Sequence, residues 1–439
     1  MAQFRKDTHK YLPQETTIFE VMMLADQYGN LVGPANPSGM AVDAFGRSRM
    51  STPFTLFDSS HRYRDNGKWS TSNNSGTTVT FNSNAGLIEH TVGTTANQEI
   101  VRETDLVFSY QPGKSLQILQ TFVFAPGQTN LRQRCGYYGA QNGIFLELAN
   151  NSLAWVERSN VTGTLAETRA EQANWNIDTL LGDTESSPSL INLDITKAQI
   201  MFIDLEWLGL GTVRCGFVID GRFIHTHSFH HANRTDVTYI TTACLPLRYE
   251  IKNIGTTGNT STMKQVCSTV ISEAGYSLRG EQRAAGTPVN TSVNLETAGV
   301  PYPVVSIRLK SNRLDAIVIP SAISLLGIGG VGNSTRVQWR LVEGGTLPNA
   351  SWTSAGSDSA VEYDLSANAI TGGTTVAQGL IGTTNQSTSS LSLPSGDFFK
   401  YQLERNGLTG IPRSFSLVAV PGANGDDVIG SIDWDEVTQ

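Results

Sequence analysis

The sequence predicts an all-β protein: a central jelly-roll sandwich of the laminin-G/concanavalin-like kind, preceded by an extended N-terminal arm and followed by a second, C-terminal β-domain. Three observations carry this. Apolar and polar residues alternate over many short runs, as they do where one face of a strand is buried and the other is wet. The runs are punctuated by Gly, Pro and Asn turns, for which the chain of 439 residues holds 42 glycines. Charged residues make up only 16% of the chain, against roughly 25% in ordinary soluble domains, which leaves little material for the charged faces of amphipathic helices.

Residues 1–68 read as the arm. They are rich in turn signals and poor in alternation, yet Phe19, Phe45, Phe54 and Phe57 are residues that need burial. An arm that docks on a partner subunit or a neighbouring protein satisfies both facts, with a segment that wraps its own domain as the alternative. Residues 16–25 fit a helical turn or a strand equally well.

Residues 69–275 form the expected sandwich. Candidate strands follow one another at 77–81, 100–110, 116–124, 131–138, 143–148, 153–158, 191–195, 199–207, 212–219, 223–229, 238–242, 247–252 and 263–272. The clearest pattern runs from 199 to 222. Met201, Ile203, Leu205 and Trp207 alternate on one face, Gly209 and Gly211 bracket a turn, and Asp220 with Gly221 supplies the pair favoured in a two-residue hairpin. Residues 276–288 are polar and unpatterned and read as a linker. Residues 289–439 alternate again and predict the second β-domain, in which 351–395 fits either long exposed loops or weak strands with polar faces. The acidic end, from Asp426 and Asp427 to Asp435 and Glu436, reads as a solvated tail.

The chemistry these residues exclude is broad. A net charge of -8 argues against a phosphate-tracking surface and so against nucleic-acid binding. Residues 1–10 are polar and charged, unlike a secretory signal, and no apolar run approaches the roughly 18 residues of a membrane span, so membrane insertion is not expected. Cys135, Cys215, Cys244 and Cys267 form no C-x-x-C pair and read as free thiols, with one or two disulfides open as the alternative. No cofactor is expected. The glycine spacing of 327–332 lacks the lysine of a phosphate loop, Asn333 standing in its place, and reads as a turn.

Three constellations remain. His225, His227 and His230 have the spacing of two imidazoles on one strand face plus a third from the following turn, a pattern that could ligate a transition metal. Asp204 and Glu206 put two carboxylates on one face, with Glu147 and Asp220 elsewhere in the sandwich. The Glu-x-Asp-x-x-Glu strand of laminarinase-type glycosidases would need glutamates where Phe202 and Trp207 stand, so no catalytic residue is assigned and no enzyme is expected. Trp155, Trp175 and Trp352 are candidates for sugar stacking, with core packing as the competing reading.

The stretches DAFGRSRMSTPF (43–54), LRQRCGYY (131–138) with GIFLE (143–147), and DLEWLGLGTVR (204–214) with LRYEI (247–251) resemble a group of structural proteins of tailed-bacteriophage virions. The resemblance covers roughly residues 40–275. It implies a non-enzymatic part of the particle, a tail fibre or a baseplate-associated protein, with a capsid decoration protein as an alternative. It also implies synthesis in the host cytoplasm, residence in the virion, and other virion proteins as partners through the arm. A glycan-binding receptor module for host attachment is a second alternative, a glycan hydrolase a third. Low charge and sheet edges suit self-association in a closed ring, and the resemblance favours a homotrimer.

Overall fold

The computed structural model describes residues 52–277, 279–328, 335–383, 389–392 and 401–438. Most of the expected arm, with Phe19 and Phe45, and residues 329–334 of the glycine-rich run lie outside the described residues. The strands of the first half are β1 (Phe54–Ser59), β2 (Trp69–Asn73), β3 (Thr77–Asn82), β4 (Leu87–Val92), β5 (Glu99–Thr104), β6 (Leu116–Val123), β7 (Leu131–Tyr138), β8 (Gly143–Ala149), β9 (Ser152–Ser159), β10 (Ala166–Glu171), β11 (Gln199–Leu205), β12 (Val213–Ile219), β13 (Arg222–Phe229), β14 (Leu247–Asn253) and β15 (Ser261–Ser272). Those of the second half are β16 (Glu281–Gly286), β17 (Val293–Leu295), β18 (Tyr302–Leu309), β19 (Ile317–Ile328), β20 (Thr335–Glu343), β21 (Thr353–Ser354), β22 (Val361–Asp364), β23 (Thr374–Thr383), β24 (Ser389–Ser392), β25 (Phe415–Pro421) and β26 (Asp426–Thr438).

All pairings are antiparallel, and they make two sandwiches. In the first, a sheet ordered β13-β12-β11-β6-β15-β4-β3, with β1 added along β15, faces a sheet ordered β10-β9-β8-β7-β14-β5-β2. The alternation seen in the sequence is the cause: Leu116, Ile118, Gln120 and Phe122 of β6 are buried while the residues between them are half-buried. Asp220 and Gly221 have φ of +52° and +74°, and Ile219 pairs with Arg222, so this two-residue turn closes the β12–β13 hairpin. In the second sandwich, β16-β26-β19-β24 with β17 against β26 faces β21-β22-β18-β25-β20-β23. The all-β architecture of antiparallel sandwiches is therefore the fold.

Several boundaries differ from the sequence reading. Phe54–Ser59 is no arm segment but a strand, and Phe57 packs in the first core beside Trp69 and Phe108, at ring separations of 6.2 and 5.0 Å. Phe54 lies 6.0 Å from the Tyr276 ring. The expected linker contains β16, which pairs with β26; only one of its six residues is buried, and such a polar edge strand is fixed by main-chain bonds that leave no apolar signature. The acidic end is no tail. It is β26, with Val428, Ile432 and Trp434 in the second core and Glu436 buried against Ser359, the Ala360 N–H and Trp434 Nε1. Residues 191–195 and 238–242 are irregular, and 351–395 contains short strands.

The two sandwiches are not beads on a string, since Thr52–Gln439 clusters as one unit. On β19, Ile317 and Ile319 belong to the first core and Val318 to the second. Among the described residues no disulfide forms; Cys135, Cys215 and Cys244 are buried and Cys267 is exposed. Among the described residues no helix is long and apolar enough to cross a membrane.

Candidate functional site

Where β11 hands over to β12, the chain reverses through Glu206–Thr212. Leu210 N–H bonds the Trp207 carbonyl at 3.0 Å and Glu206 N–H bonds the Thr212 carbonyl at 3.2 Å. Gly209 takes φ +80°, and a Cβ on Gly211 would lie 2.1 Å from the Glu206 carbonyl oxygen, so both glycines are dictated by the turn. Trp207 packs its half-buried ring on the first core, edge-on to Tyr110 at 5.6 Å, which leaves the even positions of β11 facing outward.

Beside this turn lies a cleft of about 520 Å³ lined by Tyr110, Lys114, Ser115, Asp204, Glu206, Leu208, Thr212 and Arg214. Asp204 stands opposite Arg214 in the β11–β12 register and ion-pairs with it. On its other side Asp204 hydrogen-bonds Glu273, which follows β15 and also accepts from the Ser115 hydroxyl. Burial first, and then the charge of Glu273, raises the Asp204 carboxyl to about 6 against the pull of Arg214. Glu206 accepts from the Thr212 N–H at 3.3 Å, and the Tyr110 hydroxyl accepts from the Leu208 N–H at 3.1 Å. Leu208 is 59% exposed and forms an apolar lip. The cleft thus offers acceptors, donors and one apolar edge, with Asp204 and Glu206 set against Lys114 and Arg214.

The other sequence candidates fall elsewhere. Trp155 and Trp175 are buried, 6.2 Å apart and both against Phe217; their indole N–H groups bond Thr226 Oγ1 and the Ala170 carbonyl, each at 3.0 Å, so neither is a sugar platform. Trp352 is half-buried under the Arg308 guanidinium, 4.0 Å from its ring centre. The three histidines do not converge. A bulge between Cys215 and Gly216 sets His227 opposite Cys215 and His225 opposite Gly216, which spoils the i, i+2 parity. His225 turns to Ser228 Oγ at 2.9 Å, His227 Nδ1 accepts from the Asn176 N–H at 3.3 Å, and His230 meets Thr212 Oγ1 at 3.4 Å. Among the described residues no group of three side chains could hold a metal ion. Glu147 is locked on the outer face of the second sheet by Arg134 and Arg169.

Sequence reasoning missed Glu273, Tyr110, Lys114, Ser115 and Arg214. Arg214 was within reach, since counting outward from the Gly209–Gly211 turn pairs it with Asp204. Glu273 left no such signal, because the contact is made through sheet order.

No family model matches the chain, and no curated protein matches it. Solved structures do. The carbohydrate recognition domain of Emp47p is 9% identical, with a TM-score of 0.33 over 53% of this chain and 99% of that one. A Bacillus licheniformis β-glucanase is 10% identical, with a TM-score of 0.31 over 49% of this chain and 96% of that one. The CBM2 module of the evolved Dit protein of Lactobacillus casei BL23 phage J-1 is 6% identical, with a TM-score of 0.33 over 52% and 99%. The likeness is one of β-sandwich architecture.

Proposed function

We propose that this chain is a non-enzymatic structural component of a tailed-phage virion, of tail-fibre or baseplate-associated type, and that its first sandwich carries a glycan-binding cleft at Asp204. The observation that carries the binding role is the cleft itself. Its volume falls within the roughly 300–1,000 Å³ of small-molecule sites, and its walls alternate carboxyl, hydroxyl and cationic groups. Hydroxyls of a neutral sugar would donate to Asp204 and Glu206 and accept from Lys114 and Arg214. The near balance of charge disfavours strongly anionic or cationic ligands.

A binding role is favoured over hydrolysis by the pairing of Asp204 with Glu273. Carboxyl groups that hydrogen-bond each other share a proton, whereas retaining and inverting glycosidases hold theirs about 5 Å or more apart, with the sugar between. Placement in the particle rests on the resemblance of residues 40–275.

A glycan array probed with the purified chain, together with a reducing-sugar assay on host polysaccharide, tests the cleft. Binding that is lost in Arg214→Ala, with no sugar released, is the expected result. Failure to bind any glycan would remove the receptor role, and released sugar would make the protein an enzyme. Immunogold labelling of particles tests placement: tail label is expected, while label on the head would make it a decoration protein.

A further inference from the structure

Inside the first sandwich the apolar core gives way to polar side chains that meet from both sheets. His90 of β4, Gln120 of β6, and Gln265 and Ser268 of β15 face Arg102 of β5 and Tyr249 of β14, and His61 closes the group from the loop after β1; all are buried. The Tyr249 hydroxyl lies 3.0 Å from Ser268 Oγ, and its ring stands edge-on to His90 at 6.4 Å. Arg102 forks onto Asp65 through bonds of 2.6 and 2.7 Å, and Asp65 Oδ1 is 3.5 Å from His61 Nδ1. That nitrogen accepts from the Asn66 N–H at 3.2 Å, which leaves the ring proton on Nε2. Among the described residues His61 Nε2, both ring nitrogens of His90 and both amide ends of Gln265 have no hydrogen-bond partner.

The position of this group in the sheet matters. β15 pairs with β4 through Ser261–Gln265 and with β1 from Ser268 to Ser272, so β4 and β1 lie end to end along one edge of it. The register of β15 against β6 breaks between Gln265 and Ser268, at that same junction. His61 and His90 sit beneath it.

We propose that this junction is an acid-operated clasp, which holds β1 and residues 60–68 on the sandwich at neutral pH and releases them, with the point where residues 1–51 join, when His61 and His90 take up protons. The charged or titratable groups facing the two rings are Arg102 from β5, Asp65 from the loop of His61, and Tyr249 from β14; β6 and β15 contribute neutral Gln120, Gln265 and Ser268. A proton on His90 therefore meets a guanidinium and no carboxylate. Burial, and after it the charge of Arg102, pushes His90 down to about 3 and His61 to about 4, Asp65 pulling His61 the other way. In the open state both rings regain their ordinary affinity, so opening takes up two protons. The linkage runs to about 100-fold per pH unit below the ordinary histidine range, and ends as pH falls through the folded values.

Hydrogen exchange of the full chain at pH 7.0, 5.5 and 4.5, corrected for intrinsic rates, tests this. Protection of residues 54–68 should fall by at least ~100-fold between pH 7.0 and 4.5 while β7 and β8 keep theirs. A His61→Asn/His90→Gln double variant should lose that acid response. Should the variant fail to fold, wild-type exchange still decides. Unchanged protection at residues 54–68, simultaneous loss in β7 and β8, or an unaltered response in a folded double variant would each overturn the proposal.

Discussion

Lys68, in the loop before β2, places its Nζ 2.6 Å from Glu404 Oε1, 336 positions further along the chain. The same ammonium reaches Glu343 at 3.2 Å, and Glu404 is also bonded by Arg413 at 3.0 Å, whose other arm lies 2.8 Å from Asp105. Gln402 adds a bond to the Val107 carbonyl at 2.9 Å, and Arg405 reaches Glu103 at 3.3 Å. The first sandwich is thus joined to the second by a ladder of ions and amides beside the shared apolar packing of β19.

Lys68→Met should lower stability in urea by about 1–3 kcal/mol, because it leaves Glu343 and buried Glu404 facing each other without their shared cation. The side chain of Lys68 is 37% exposed, and solvent screening keeps the loss toward the low end. Adding Glu404→Gln should restore part of it. An unchanged midpoint in the single variant would show that the ladder does not hold the sandwiches together.

Asp204→Asn should raise stability at pH 7.5. In the folded chain Asp204 holds its proton to about pH 6, above its ordinary value of 3.8, so between these limits the folded state binds more protons than the unfolded one. Its contribution therefore grows as pH falls and is lost as pH rises through 6. Replacing it by a neutral amide should gain about 1–3 kcal/mol at pH 7.5, and nothing near pH 3. Equal effects at both pH values would mean that packing, not ionisation, is responsible.

Trp155→Ala should cost about 3–5 kcal/mol, as for other fully buried large aromatics, and Trp207→Ala, only half-buried, about 1–2 kcal/mol. Neither should alter glycan selectivity. Thermal and urea melts with a repeat of the array check both statements; a stable Trp155 variant that has lost binding would make that ring part of the site after all.

Deletion of residues 1–51 should leave a cooperative melt and abolish incorporation into particles, whereas deletion through residue 60 should also damage the core, because it removes β1 and Phe57. Light scattering on the intact chain should give three times the chain mass. A monomer at micromolar concentration, appearing singly on the particle, would sink the trimer.

The legible part of this chain was the part in which burial writes a period of two. The β11–β12–β13 hairpins could be read to within two residues because Met201, Ile203 and Leu205 alternate and Asp220-Gly221 suits a two-residue turn. Edge strands such as β16 carry no such record. The Asp204 cleft was half legible: its hairpin partner Arg214 follows from turn arithmetic, while Glu273 arrives through the pairing of β15 with β6, which no local pattern encodes. The bulge in β12–β13 moved the histidines apart for a similar reason, since one irregular residue reverses every parity argument beyond it.

Adjacent Ile317 and Val318 look in opposite directions, each into a different core. A fragment ending near residue 275 would therefore lose Ile317 and Ile319 from its own interior, and the complementary fragment would present those two residues to water. Homologous exchange of one sandwich for another would have to carry β19 along or rebuild the surface it fills. The unit that folds is then the pair of sandwiches, each completed by the same strand.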